Sequence, residues 1–173
     1  MEKLKFALIG AGGIAQTYAQ AFQTSQCCRL VAVADVRKES ADAFAEPFGA
    51  KSYADYKTLA ENETVDAVIV CTPPNSHPEI AMFFMNRGVH VLCEKPLCLS
   101  AAEAREMLDC AEKTGVKFTM ASKFRYVEDA IKAKSMVASG ILGEVVQLKT
   151  ISRRKSICRG AGTRTKRRAA AAF

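Results

Sequence analysis

Short apolar runs alternate along the chain with segments of helical spacing. Runs of strand length lie at residues 5–9, 30–34, 51–53, 66–71, 89–93 and 117–120. Apolar residues spaced three and four positions apart predict helices at residues 13–23, 39–48, 55–61, 77–86, 100–113 and 127–139. Strands that alternate with helices form parallel sheets covered on both faces. The pattern therefore predicts an α/β protein with a doubly wound, mainly parallel sheet.

The same pattern divides the chain into three parts. Residues 1–122 contain the predicted sheet, and residues 123–151 contain a linking helix and an alternating segment, 144–151, that predicts the first strand of a second domain. Residues 152–173 lose the hydrophobic periodicity, and we expect this tail to be disordered because it cannot bury enough apolar surface. The abrupt change near Ser152 is typical of a shifted reading frame or of a fragment. A genuine basic tail is the alternative.

The net charge of +7 comes from the tail. Residues 1–150 carry a net charge of −1, and residues 151–173 carry one of +8. The tail has no aromatic residue before Phe173, so we expect no specific nucleic-acid binding. The hypothesis left open is a tether that binds polyanions without sequence preference.

The cysteines and the apolar runs bear on the compartment. The seven cysteines are odd in number and form no CxxC pair, which favours free thiols in a reducing cytoplasm. No apolar run approaches the roughly 18 residues needed to cross a membrane, and the apolar stretch at the start of the chain is too short for a signal peptide. We expect a cytoplasmic protein with no metal site and no membrane partner.

A glycine-rich loop follows the first predicted strand. Residues 10–15 read GAGGIA, the GxGxxA pattern in which a strand turns into a helix. Gly10 permits the tight turn, Gly12 lets the backbone approach a pyrophosphate, and Gly13 and Ile14 open a helix whose free N–H groups face the phosphates. Because an acidic residue, Asp35, ends the second strand twenty positions past Ala15, the loop predicts a dinucleotide site.

Two residues of opposite charge bear on the choice of dinucleotide. Asp35 is placed to accept hydrogen bonds from the adenosine ribose hydroxyls and to repel a 2′-phosphate. Arg37, two residues later, is a guanidinium that can pair with such a phosphate or stack on adenine. We expect NAD as the cofactor, with NADP left open.

Two further loops leave the same predicted edge of the sheet. Residues 71–77 read CTPPNSH, and Thr72, Pro73, Asn75 and His77 are candidates for a wall beside the cofactor. For His77 alone, a residue that merely begins the next helix is the favoured interpretation. Residues 94–96 read EKP. These residues do not favour a buried strand, because lysine is seldom buried and proline cannot donate a hydrogen bond to a neighbouring strand.

Taken together, these motifs resemble the N-terminal half of the glucose–fructose oxidoreductase and inositol dehydrogenase (Gfo/Idh/MocA) family. Its members carry a GxGxxA loop, a TPPxxH-like loop and an EKP motif in this order. The resemblance covers residues 3–150 and implies a Rossmann domain in which Lys95 is catalytic and Glu94 supports it beside the nicotinamide. It also implies that most of the family's C-terminal α+β domain, which carries most sugar-binding groups, is missing from these 173 residues.

The sequence thus predicts an NAD(P)-dependent oxidoreductase, present as its cofactor-binding half. The implied reaction is hydride transfer between a nicotinamide and the hydroxyl carbon of a sugar or cyclitol. A catalytically incomplete dinucleotide-binding module is the alternative. We also expect self-association through the exposed terminal strand, because an uncovered apolar strand is a template for pairing.

Overall fold

The computed structural model describes residues 2–149, which contain one six-stranded sheet and six α-helices. The strands are β1 (Leu4–Ile9), β2 (Cys28–Ala34), β3 (Lys51–Tyr53), β4 (Ala67–Val70), β5 (His90–Cys93) and β6 (Phe118–Met120). The helices are α1 (Ala15–Thr24), α2 (Lys38–Ala45), α3 (Tyr56–Asn62), α4 (His77–Met85), α5 (Ala101–Thr114) and α6 (Glu128–Ala138). Short 3-10 helices lie at Glu46–Phe48, Pro74–Ser76 and Lys123–Tyr126.

All strand pairs are parallel, and the strand order is β3-β2-β1-β4-β5-β6. The chain winds outward from β1 in one direction and from β4 in the other, so a crevice opens where these two central strands end. Ile9 is in register with both Ala34 and Val70, and Val70 is in register with Cys93. The loops after β1, β2, β4 and β5 therefore leave the sheet at one edge.

The sheet has an apolar core on each face, as the alternation of side chains along a strand requires. On one face Ile9 and Val70 pack in a cluster with Phe84 of α4 and Met107 of α5. On the other face Leu8 belongs to a cluster that includes Phe22 of α1 and Phe44 of α2. All four residues of β4 are buried, as expected of a central parallel strand. The doubly wound architecture predicted from the sequence is confirmed.

The end of the described chain departs from the prediction. Residues 144–149 form no strand, and the last two residues of the predicted strand, 150 and 151, lie outside the described residues, as does the predicted tail. Val146 and Leu148 are 94% and 78% exposed, so the alternating pattern has no sheet face to cover within residues 2–149. The chain divides into two compact units between Ala130 and Ile131, within α6, whereas the sequence placed a boundary after residue 122.

Candidate cofactor-binding site

A cavity of about 560 Å³ opens at the carboxyl ends of the central strands. This volume is in the range of small-molecule sites. Six of the predicted site residues line it: Gly10, Gly12, Asp35, Arg37, Thr72 and Pro73. The sequence did not single out the side chains that complete the wall beyond β3 and along α4, among them Asp55, Tyr56, Glu79 and Ile80. The predicted residues Gly13, Ile14, Asn75, His77, Glu94 and Lys95 lie outside its lining.

Gly10 lies close against the backbone that leaves β4. Its φ is +94°, a conformation that residues with a Cβ rarely adopt. A Cβ built on Gly10 would lie 2.8 Å from the carbonyl carbon of Cys71 and 2.9 Å from the backbone nitrogen of Thr72. Because both neighbours are backbone atoms, they cannot rotate away. Glycine is therefore required here by the protein itself.

Gly12 and Gly13 are glycines for a different reason. A Cβ on either residue would meet nothing within 4 Å. The protein would accommodate a side chain at both positions. Because glycine has no side chain, the space in front of α1 stays open. Such an open cradle is what a ligand that approaches the backbone needs.

The N-terminus of α1 is suited to an anion. Ile14 is its N-cap residue, no side chain caps the helix, and its first turn holds no acidic residue. The backbone N–H groups at such an end carry partial positive charge and lack partners within the helix. The N–H groups of Ala15 and Thr17 bond to the carbonyls of Gly12 and Ile14, whereas Gly13 and Ile14 are themselves exposed. Helix ends of this kind are a common place for proteins to bind phosphate groups.

Asp35 fixes the glycine-rich loop as well as facing the cavity. Its Oδ2 accepts a hydrogen bond of 2.7 Å from the backbone N–H of Ala11, and its Oδ1 accepts one of 2.8 Å from the backbone N–H of Arg37. The Nε atom of Arg37 lies 3.9 Å from the same Oδ1. The carboxylate side chain is 10% exposed and the arginine side chain 72%, so the acid belongs to the site and the base to its rim.

The segment 94–97, which we name the lysine loop, follows β5. Glu94 is only 8% exposed, and its Oε2 accepts a hydrogen bond of 2.9 Å from the backbone N–H of Lys95. Its Oε1 accepts one of 2.7 Å from the hydroxyl of Tyr18, which lies on α1. Burial, and then the hydrogen bond to Glu94, raise the pKa of Tyr18, so the phenol stays protonated and donates. Tyr18 thus joins the glycine-loop helix to the lysine loop.

Lys95 itself is exposed, and within residues 2–149 its ammonium forms no salt bridge. Its peptide bond to Pro96 is cis. The lysine lies two residues past the end of β5, at the same edge as the glycine-rich loop. Its backbone is held by Glu94, while its charged end is free to reach a molecule bound at that edge.

The segment 71–76, which we name the proline loop, follows β4 and leads into α4. Asn75 is exposed, whereas His77, the first residue of α4, is fully buried. His77 therefore lies beneath the loops. Its two ring nitrogens lie within hydrogen-bonding distance of backbone carbonyl oxygens of the proline loop and of the lysine loop.

The two cysteines at this edge have no thiolate chemistry to offer at neutral pH. Burial, and then the charge of Glu94, raise the pKa of Cys71 and of Cys93 to about 12.

No group of three or more His, Cys, Asp or Glu side chains within the described chain is arranged to hold a metal ion. No helix in residues 2–149 combines the length and hydropathy of a membrane span.

The sheet order, the glycine-rich loop and the acid after β2 together define a dinucleotide-binding Rossmann domain. The sequence matches the family described as "Oxidoreductase family, NAD-binding Rossmann fold" (GFO_IDH_MocA) over residues 4–122. The chain belongs to this family, as the motifs had indicated.

Curated relatives and solved structures agree with this assignment. Glucose-6-phosphate 3-dehydrogenase of Bacillus subtilis (strain 168) is 34% identical over 155 residues, which are 90% of this chain and 44% of the relative. Inositol 2-dehydrogenase of Rhizobium meliloti (strain 1021) is 31% identical over 87% of this chain and 45% of its own length. The crystal structure of myo-inositol 2-dehydrogenase from Lactobacillus plantarum, 28% identical, superposes with a TM-score of 0.77 over 83% of this chain and 43% of that one.

A second solved structure contains the cofactor. An oxidoreductase from Agrobacterium radiobacter, crystallised with NAD⁺, L-tartaric acid and magnesium, is 25% identical, with a TM-score of 0.78 over 83% of this chain and 42% of its own. The chain thus spans less than half the length of the relatives it matches.

Proposed function

We propose that this chain is the cofactor-binding half of an NAD-dependent oxidoreductase that transfers hydride between a nicotinamide and the hydroxyl carbon of a sugar or cyclitol. One observation carries the proposal. The open glycine cradle, the partly buried Asp35 carboxylate and the loop that presents Lys95 all lie at the carboxyl edge of one parallel sheet. The names of the relatives, glucose-6-phosphate 3-dehydrogenase and inositol 2-dehydrogenase, support the substrate class.

The residues of this chain fit NAD in distinct roles. Gly12, Gly13 and Ile14 would hold the pyrophosphate through backbone N–H groups at the start of α1. Gly10 would shape the turn beneath it, because its own N–H donates a hydrogen bond of 2.7 Å to the carbonyl oxygen of Ala34. Asp35 would accept hydrogen bonds from the adenosine ribose. The proline loop, through Thr72, Pro73 and Asn75, would form the wall toward the nicotinamide. NAD, when bound, supplies the hydride acceptor of the reaction.

Lys95 would act on the substrate oxygen. A positioned ammonium stabilises negative charge that develops on an alkoxide, and it can give or take the hydroxyl proton at its Nζ. The buried Glu94 fixes the backbone N–H of Lys95, and this restricts where the lysine side chain begins. Exposure of Lys95 leaves its ammonium accessible to a substrate bound at this edge.

We propose NAD rather than NADP as the preferred cofactor. Three carboxylates, those of Asp35, Asp55 and Glu79, line the same cavity as the guanidinium of Arg37. The guanidinium already lies near Asp35, and Lys57 lies 3.8 Å from Glu79. A 2′-phosphate would therefore meet three carboxylates and one lining base, which already lies beside Asp35, and like-charge repulsion would oppose its binding.

A paired titration tests this preference. We expect NADPH to bind the chain at least about tenfold more weakly than NADH, which corresponds to roughly 1.4 kcal/mol. Asp35→Asn should weaken NADH binding and narrow the difference, because the charge that repels the 2′-phosphate is removed. Asp42→Asn, an equivalent change at an exposed acid on α2, should leave both affinities unchanged. Equal affinities for the two cofactors in the unaltered chain would count against the assignment.

A reducing compartment, the cytoplasm, is part of the same proposal. The six cysteines in the described residues are all free, including the exposed Cys27 beside Cys28. Free exposed thiols persist where glutathione and thioredoxin keep them reduced.

A further inference from the structure

His77 has hydrogen-bonding partners that a residue beginning a helix does not need. It is one of two buried polar side chains in the described chain, the other being Glu94. Its Nε2 lies 2.8 Å from the carbonyl oxygen of Thr72, in the proline loop. Its Nδ1 lies 3.0 Å from the carbonyl oxygen of Pro96 and 3.2 Å from that of Leu97, in the lysine loop. The ring thus lies between the two loops, and neither of its nitrogens bonds to its own helix, α4.

All three partners of the ring are carbonyl oxygens, which only accept hydrogen bonds. A neutral imidazole has one N–H and can bond one loop; its other nitrogen would then point a lone pair at an oxygen about 3 Å away. A ring with a proton on each nitrogen bonds both loops at once.

We propose that His77 is a positioning residue that donates a hydrogen bond from each ring nitrogen and so fixes the proline loop against the lysine loop. Thr72 lines the cavity, and Pro96 directly follows Lys95. The ring therefore sets the distance between the proline loop, which would contact the cofactor, and Lys95. It does so without touching the cofactor or the substrate. The effect on the placement of Lys95 rests on the proposed function. The hydrogen bonds of the His77 ring, in contrast, need no cofactor.

Nuclear magnetic resonance of ¹⁵N-labelled histidine tests the bonds directly. The chain has only two histidines, His77 and His90. His90 is a built-in contrast, because its Nδ1 accepts a hydrogen bond of 3.1 Å from the backbone N–H of Lys117 and so carries no proton. We expect one ring with slowly exchanging protons on both nitrogens, assigned to His77 by its persistence in His90→Phe. A single ring proton on His77 would overturn the proposal.

Calorimetric binding of two ligands tests the consequence. ADP-ribose has the adenosine and pyrophosphate of NADH but no nicotinamide. We expect His77→Phe, which keeps a ring of similar size but no donor, to weaken NADH about tenfold and ADP-ribose less than threefold. His90→Phe, at the opposite end of β5 from the lysine loop, should change neither affinity.

The outcomes of this second experiment are distinguishable from failure of the proposed function. Equal losses for the two ligands, or no loss for NADH, contradict the positioning role of His77. If the unaltered chain binds neither ligand, the proposed function fails, and the resonance experiment still decides the hydrogen bonds. That experiment also decides them if His77→Phe does not fold.

Discussion

Replacing Gly10 by alanine is expected to destabilise the sheet domain and to abolish measurable NADH binding. The new Cβ would lie within 2.8 to 2.9 Å of three backbone atoms of Cys71 and Thr72, at a φ of +94°. The unfavourable backbone conformation costs about 1–2 kcal/mol, and overpacking against atoms that cannot rotate costs a further 1–3 kcal/mol. The loop would have to move away from β4, and the cradle in front of α1 would move with it. Urea unfolding and NADH titration measure the two effects.

Gly13→Ala is the matched control for this experiment. A Cβ there meets nothing within 4 Å of the protein, so stability should change by less than about 1 kcal/mol. NADH binding should nevertheless weaken, because the methyl group enters the space reserved for the pyrophosphate. A Gly10→Ala variant as stable as the unaltered chain, with unchanged NADH affinity, would refute the structural account of this loop.

Substituting Lys95 by methionine is expected to remove most turnover while leaving NADH binding nearly intact. General acid–base and electrostatic assistance by one group is worth about 10²–10⁴-fold in rate. Little stability should be lost, because the side chain is exposed and its ammonium forms no salt bridge within residues 2–149. Methionine preserves most of the length of the side chain and removes only the charge and the proton.

A chimera provides the assay for Lys95, because the chain spans 44% of its Bacillus subtilis relative. Residues 1–122 would replace the matching segment of that enzyme. Turnover of glucose 6-phosphate would be monitored through the reduction of the cofactor. Lys113→Met, at an exposed lysine in the last turn of α5, is the control and should retain full turnover. If the chimera is inactive, the residue of the relative that aligns with Lys95 is substituted instead. Equal turnover with lysine and methionine would exclude the proposed role.

Much of the architecture was predictable because it depends on local pattern. The fully apolar run at β4 could only be a central strand, and the GAGGIA loop marked the turn into α1. Asp35 and Lys95 became candidates because each follows a strand at the ligand-binding edge, a position that the order of elements fixes, and the resemblance to the family added the catalytic role of Lys95. Sequence reasoning could therefore predict where these residues lie, and their roles stay predictions.

The contacts that support the site were not predictable in the same way. Tyr18 lies on the apolar face of α1, where an aromatic residue is expected to pack in the core, and its bond to Glu94 joins positions 76 residues apart. The hydrogen bond from Ala11 to Asp35 and those of the His77 ring likewise depend on how loops meet in space. No spacing along the chain reports such contacts, although a polar atom on an apolar helix face was a usable signal at Tyr18.

At residues 144–151 the sequence pattern predicted a strand, and the structure forms none over residues 144–149. Alternation of apolar and polar residues indicates a strand only if a neighbouring strand supplies hydrogen bonds and a face to cover. Over residues 144–149 the structure provides neither, and the segment is irregular with exposed Val146 and Leu148. Pattern alone could not show this, because it describes one chain segment and not its partner.

The most direct test of the dinucleotide site is a calorimetric titration of the folded chain with NADH, with Gly10→Ala titrated in parallel. The site described above predicts saturable heat at one cofactor per chain, absent from the Gly10 variant and competed away by ADP-ribose. A folded chain that gives no saturable heat with NADH or NAD⁺ would contradict the account at its centre.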